Sequence, residues 1–364
     1  MLRIGLLGAF SIDNTGDGLL ALAARQAILA ARPGAEVLVF APKLQGPASS
    51  HDVDDRRGLG FRVIPVDPLG PLVWTEGLDA LVIGGGGLVS ARREFQPFLL
   101  GEAARWGGPP AAWNAVCSEG MPWPGPHLAA VRACCERLAY VSVRNVTTAK
   151  LVRASGFGGA VHVVPDLAIG LDLPPVVAAV DAGPRPRIGV CLGALDRRAG
   201  PFMRELREGL ASLARAGAAV LCFPFGGIYG DVAAARRLAR GIPGARFVPA
   251  PASPLDAWRF IGSLDACIAG RYHAVIAAWT QQVPCLVVDP YLSSFTASSK
   301  IREFVVERDL EPDYTCPWLE ANARARLEAL LTRGRAAVAG QAERRDRDRA
   351  ALRGHTEAML DALG

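Results

Sequence analysis

Several familiar chemistries are missing from this sequence. Within its 364 residues no apolar run approaches the roughly 18 residues a membrane-spanning helix needs, so no span is expected. The eight cysteines, at 117, 134, 135, 191, 222, 267, 285 and 316, form no C-x-x-C pair and mostly sit in apolar segments. They read as reduced core residues, which excludes a disulfide framework and a zinc site. No group of His, Cys and carboxylates has metal-ligand spacing, so no metal is expected. There is no G-x-S-x-G elbow, and the first strand is not followed by G-x-G-x-x-G, so neither hydrolase chemistry of that type nor a dinucleotide cofactor is supported. Charge is also sparse. Forty basic against 35 acidic residues leave a net charge of +5, too mild for a nucleic-acid binder but compatible with anionic small molecules or a membrane surface. The first apolar stretch reaches Asp13 too soon for a signal-peptide core, so a cytoplasmic protein is expected.

What is present is abundant apolar residue, 51% of the chain, with glycine and proline spread without period. That length and composition suit a globular protein of two domains. From Arg3 to Asp166 short apolar runs alternate with helical patterns: RIGLLGAF, a helix from Gly18 to Ala31, EVLVFAP, FRVIPVD, LDALVIGG, a helix from Phe95 to Trp106, PAAWNAVC, a helix from Leu128 to Leu138, AYVSVRN, a helix from Thr147 to Ala154, and VHVVPD. A polar loop, Lys43 to Arg57, interrupts the series. Residues 172–187 carry four prolines and read as a linker, after which RIGVCLGA opens a second alternation ending in the strand PCLVVDP. Strand-helix alternation of this kind means βαβ units and a parallel sheet. The sequence thus predicts an α/β protein with two doubly wound, Rossmann-like domains facing across a cleft, at 1–171 and 188–318. An Arg-rich helical region at 319–364 follows.

The chemistry is expected at Gly270-Arg271-Tyr272-His273, between the apolar run Leu264 to Ala269 and the helical segment Ala274 to Gln282. Such a strand-to-helix turn lies at a strand's carboxyl end, where open α/β sheets bind ligands and a helix N-terminus favours an anion. Arg271 offers a planar permanent charge, and His273 is the side chain there able to move a proton near neutral pH. Other strand ends carry supporting candidates. Asn14 and Asp17 follow the first strand, with Asp17 placed to cap the next helix and Asn14 to point an amide at a ligand. Gly84 to Gly87 follow a strong strand and let backbone N–H groups, at Gly85 and Gly86 in particular, approach a ligand or another segment closely. Arg144 closes AYVSVRN as a second guanidinium, Phe225-Gly226-Gly227 ends another strand, Lys300 precedes a short helix, and Asp289 is placed to cap a turn or accept from hydroxyls. The nine arginines between 324 and 353 are interleaved with acids, which favours a solvated helix face over contact with anionic lipid.

These motifs in this order resemble the polysaccharide pyruvyl transferases: N-x-G-D at Asn14 to Asp17, the glycines at 84–87, Ser142-Val143-Arg144-Asn145, Pro165-Asp166, and Arg271-Tyr272-His273. Asn145 stands where that family usually carries Asp, and PYLSSFTASS is inserted between Asp289 and Lys300. The resemblance implies a GT-B-like fold. It also implies transfer of pyruvate from phosphoenolpyruvate to a free or lipid-linked saccharide as a cyclic ketal, with no cofactor. Arg144 and Arg271 would then neutralise the donor's phosphate and carboxylate, and His273 as His⁺ would protonate its methylene carbon. Two rival readings stay open: a nucleotide-sugar glycosyltransferase on the same fold, and a non-catalytic partner in a surface-polymer pathway.

Overall fold

The computed structural model of the chain describes residues 1–10, 14–42, 59–66, 72–90, 108–119, 125–173, 185–193, 195, 199–227, 230–291, 299–334 and 336–364. The expected polar loop at 43–57, the expected helix at 95–106, most of the linker and most of the insertion after Asp289 lie outside these residues. The chain divides into two compact units. One comprises residues 1–12, 17–171 and 347–364, the other residues 13–16 and 172–346.

The first unit runs β1 (Arg3–Leu7), α1 (Thr15–Ala31), β2 (Glu36–Pro42), β3 (Val63–Val66), β4 (Ala80–Ser90), β5 (Ala111–Glu119), α2 (Gly125–Cys135), β6 (Tyr140–Val143), α3 (Val146–Ala154) and β7 (His162–Val163). Its strands pair in parallel in the order β3-β2-β1-β4-β5-β6-β7. The order reverses between β1 and β4, which is the switch point where such sheets open a crevice beyond the strand ends. β1, buried at four of its five positions, reads as a continuous apolar run because helices cover both faces of a parallel sheet. Trp113 of β5 is wholly buried among Val116, Val141 and Val152.

β4 is longer than the sequence pattern suggests, because pairing with β5 continues through the glycines to Ser90, with a register shift between Gly86 and Val89. A Cβ at Gly84 would stand 2.1 Å from the Asn114 carbonyl oxygen, and at Gly85 3.0 Å from Leu20 Cβ. The run of glycines is therefore demanded first by the neighbouring strand and by α1. Gly85 and Gly86 both take positive φ, which suits the bulge.

The second unit runs β8 (Arg187–Cys191), α4 (Gly200–Arg215), β9 (Ala219–Cys222), α5 (Asp231–Arg240), β10 (Arg246–Phe247), α6 (Pro254–Gly262), β11 (Ala266–Ala269), α7 (Tyr272–Thr280), β12 (Cys285–Val288), α8 (Lys300–Glu307), β13 (Tyr314–Thr315), α9 (Ala323–Arg333) and α10 (Ala336–Ala339), and takes in the start of α11 (Ala342–Leu363), whose remainder belongs to the first unit. Its parallel sheet is ordered β10-β9-β8-β11-β12-β13, with its own switch point between β8 and β11. The core joins Ile188 and Val190 to Phe202, Leu206 and Leu210 of α4 and to Leu327 and Leu330 of α9. Each such side chain contributes about 1.5–3 kcal/mol by leaving water. α6 starts where its sequence says it should: Ser253 accepts the Asp256 N–H at 3.0 Å, and Pro254 fills the first helical position.

The Arg-rich stretch at 319–364 divides between the units, since residues 347–364 cluster with the first. Buried polar groups fix that part of α11. His355 Nε2 lies 2.8 Å from Asn114 Oδ1, and its Nδ1 lies 3.2 Å from the Tyr140 hydroxyl. All eight cysteines are buried free thiols. No helix among the described residues is long and apolar enough to cross a membrane, and no His/Cys/carboxylate group there is arranged to hold a metal ion.

Candidate active site

The turn Gly270 to His273 occupies the switch point of the second sheet. β8 and β11 come so close at their carboxyl ends that a Cβ on Gly270 would stand 2.8 Å from the Leu192 carbonyl oxygen. Arg271 is the residue before α7 and gives that helix no side-chain cap. Its guanidinium instead lies against α5. Arg271 Nε donates to Asp231 Oδ2 at 2.8 Å, Nη2 donates to Asp231 Oδ1, and Nη1 donates to the Tyr291 hydroxyl at 3.3 Å. Gly193, at φ +70°, passes close beside this pair.

Asp231 is 2% exposed. Burial pushes its carboxyl up from the ordinary value, while Arg271 and the Phe225 N–H draw it back. For Arg271, burial acts downward but Asp231 and Tyr291 outweigh it, so the guanidinium is held above its ordinary range. Two-pronged geometry on one acid fixes the plane of the guanidinium. Since the pair is neutral overall, Arg271 contributes orientation more than net charge. A second basic group, Lys300 at the start of α8, has its Nζ 5.8 Å from the Tyr272 ring centroid and 5.4 Å from that of Tyr291. The N-terminus of α7 adds a positive dipole end.

His273, half-buried in the first turn of α7, packs edge-on against Tyr272. A Cβ at Gly16 would stand 2.1 Å from His273 Nδ1, so no other residue fits at position 16 with the imidazole where it is. Asn14, just before α1, pairs with Gly226 in an antiparallel bridge, and its Oδ1 accepts the Gly16 N–H at 3.3 Å. Asn14 thus does the capping expected of Asp17. Asp17 stands one residue beyond Gly16 in the first turn of α1 and belongs to the first unit, where its Oδ1 lies 3.7 Å from the point a Gly86 Cβ would occupy.

The second unit therefore brings together Asn14, Gly16, Arg271, His273 and Lys300, while Asp17, Gly85, Gly86 and Arg144 lie in the first. Arg144, expected from the sequence to meet an anionic ligand, is 5% exposed. Its Nη1 donates to Asp166 Oδ2 at 2.7 Å and its Nη2 contacts Cys117 Sγ at 2.6 Å. Asn145 caps α3 by accepting the Thr148 N–H at 2.9 Å. Asn and Asp cap helices equally well, so Asn at this position preserves the cap without the charge. Asp289 is fully buried and accepts from the Tyr291 N–H at 2.9 Å, the Tyr314 hydroxyl at 2.9 Å and the Ser299 hydroxyl. Asp231 and Tyr291 were not legible as site residues. An acid opening a helix is an ordinary sequence feature, and its partner lies 40 positions away.

Two parallel sheets, one ordered 3-2-1-4-5-6-7 and the other 3-2-1-4-5-6, define a GT-B-like α/β protein, and solved structures of that architecture are similar to it. MnaA of S. aureus, solved with UDP, aligns at a TM-score of 0.59 and 11% identity over 98% of this chain and 94% of that one. UDP-GlcNAc 2-epimerase of Methanocaldococcus jannaschii, in complex with UDP-GlcNAc and UDP, aligns at 0.54 and 10% over 92% and 94%. MurG of Acinetobacter baumannii aligns at 0.51 and 14% over 99% and 100%. At these identities the likeness speaks for the fold alone. No curated protein matches the chain at significant similarity. The polysaccharide pyruvyl transferase family profile matches residues 14–290, and the chain belongs to that family.

Proposed function

We propose that the protein transfers pyruvate from phosphoenolpyruvate to two hydroxyls of a saccharide, free or lipid-linked, as a cyclic ketal, and works in the cytoplasm without a cofactor. The observation that carries this reading is the placing of Arg271, Lys300 and His273 at one switch point in a chain of this family. Phosphoenolpyruvate presents a carboxylate and a phosphate to be held in one orientation. A guanidinium fixed in plane by Asp231 and the compact ammonium of Lys300 suit those two tasks.

In this mechanism His273, as imidazolium, gives its proton to the donor's methylene carbon, which becomes a methyl group. The neighbouring carbon turns electrophilic and takes the oxygen of one sugar hydroxyl, whose proton is released to a base or to water. The carbon–oxygen bond to phosphate then breaks with its electron pair on phosphate, and the oxygen of the second hydroxyl bonds to the same carbon and loses its proton to a base or to water, closing the ketal. Gly16 holds the imidazole's position by leaving room for it. In this reading Arg144 acts from within the first unit, keeping Asp166 and the strand ends in place.

Calorimetric titration with phosphoenolpyruvate and with nucleoside diphosphates tests the reading. Saturable phosphoenolpyruvate binding that weakens in Arg271→Ala, with inorganic phosphate released when a saccharide acceptor is added, is the expected result. Nucleoside diphosphate binding with phosphoenolpyruvate silent would move the protein to the nucleotide-sugar transferases.

A further inference from the structure

Part of the positive charge that the sequence places in the C-terminal tail is cancelled there. Arg324 pairs with Glu328 at 2.9 Å, Arg326 with Glu320 at 2.8 Å, Arg333 with Asp313, and Arg344 with Asp309 at 2.5 Å, while Arg345 is buried. A different face gathers arginines with no acid among them. From Val232 to Pro254 the chain holds four arginines and no acid. Ala235, Leu238 and Ala239 turn the apolar side of α5 into the core, so Arg236, Arg237 and Arg240 project outward together, with Arg246 exposed on the edge strand β10. Arg207 of α4 reaches the same edge, its Nε 3.3 Å from the point a Gly241 Cβ would occupy. Among the described residues none of these five arginines is in an ion pair. Arg236 lies over the Phe247 ring at 5.0 Å instead. With Gly227 and Gly230, the three α5 arginines also line a shallow recess of about 600 Å³.

We infer that this α5–β10 face docks the protein on an anionic lipid bilayer. A compact group of arginines without counter-acids is what a surface of phosphate headgroups attracts. Each basic residue near such a surface adds about 1 kcal/mol, or roughly fivefold in affinity. The inference is independent of the donor chemistry, because none of these residues belongs to the Arg271 site.

The test is flotation of the full chain with vesicles of phosphatidylcholine alone and of phosphatidylcholine containing about one quarter phosphatidylglycerol. The parent is expected to bind the anionic vesicles only, and to release them at about 0.5 M salt, where screening is short-ranged. The triple variant Arg236→Gln/Arg237→Gln/Arg240→Gln should bind them on the order of 100-fold more weakly. Arg137→Gln/Arg347→Gln/Arg353→Gln removes the same charge from exposed sites elsewhere and should lose less than about fivefold. Because the substituted side chains are exposed, both variants should melt like the parent. Failure of the parent to bind anionic vesicles, or equal losses in the two variants, overturns the inference. So does saturable binding of inorganic pyrophosphate at α5 with the vesicles ignored, which would make the recess a small-anion site.

Discussion

Asp166→Ala should be among the most damaging single changes in the first unit. The side chains of Arg144 and Asp166 are 2% and 1% exposed. Removing the acid takes the carboxylate away from a guanidinium buried from water, and breaking such a buried pair costs about 3–5 kcal/mol. It also takes away the acceptor for the Ala168 N–H, bonded to Asp166 Oδ1 at 2.9 Å, worth about 1 kcal/mol more. Together these come to roughly 5 kcal/mol, enough to lower the urea midpoint of the first unit by about 2 M at a slope near 2–3 kcal/mol/M. Urea unfolding followed by hydrogen exchange reads the first unit separately. The double variant Arg144→Met/Asp166→Leu removes both charges at similar volume and should recover most of the loss. A cost below about 1 kcal/mol for Asp166→Ala, or simple additivity in the double variant, would refute the buried-pair account. The same pair decides the role of Arg144. The double variant should bind phosphoenolpyruvate as the parent does, and lost binding in a folded protein would return Arg144 to the donor site.

Gly16→Ala should reduce turnover by about 100-fold or more with little change in donor affinity, because a methyl group 2.1 Å from His273 Nδ1 must displace the imidazole. His273→Ala should lose turnover more than binding, whereas Arg271→Ala should lose donor affinity as well, both read from kcat and KM. Asp231→Asn should raise KM for the donor by loosening Arg271, and restoring the carboxylate with Asp231→Glu should recover part of it. Burial, with His162 nearby, lowers His355 from 6.5 to about 4. The unfolded chain then binds this proton more readily, so stability is full above about pH 6.5 and falls toward pH 4 by up to about 3 kcal/mol. Unfolding curves across that range should flatten in His355→Gln.

Much of the fold was written locally. Apolar runs of strand length alternating with helical spacing can be satisfied only by a covered parallel sheet, and the sequence pattern of α1 and α3 places both helices close to their observed bounds. The turn at Gly270 was legible for the same reason, since a strand followed at once by a helix must end at the ligand-facing edge. Partnership between distant residues could not be read that way. Arg144 and Arg271 are both guanidiniums at strand ends, and the sequence gives them one role. Tertiary packing separates them, because Asp166 closes over the first in a buried site and Asp231 holds the second by its edge beside Tyr291. The four glycines of β4 suit close approach to a ligand or to another segment, and only folding sets the backbone of β5 and the side chain of Leu20 against them. Local periodicity is a property of neighbours along the chain, whereas charge compensation and close approach belong to residues that only folding makes neighbours.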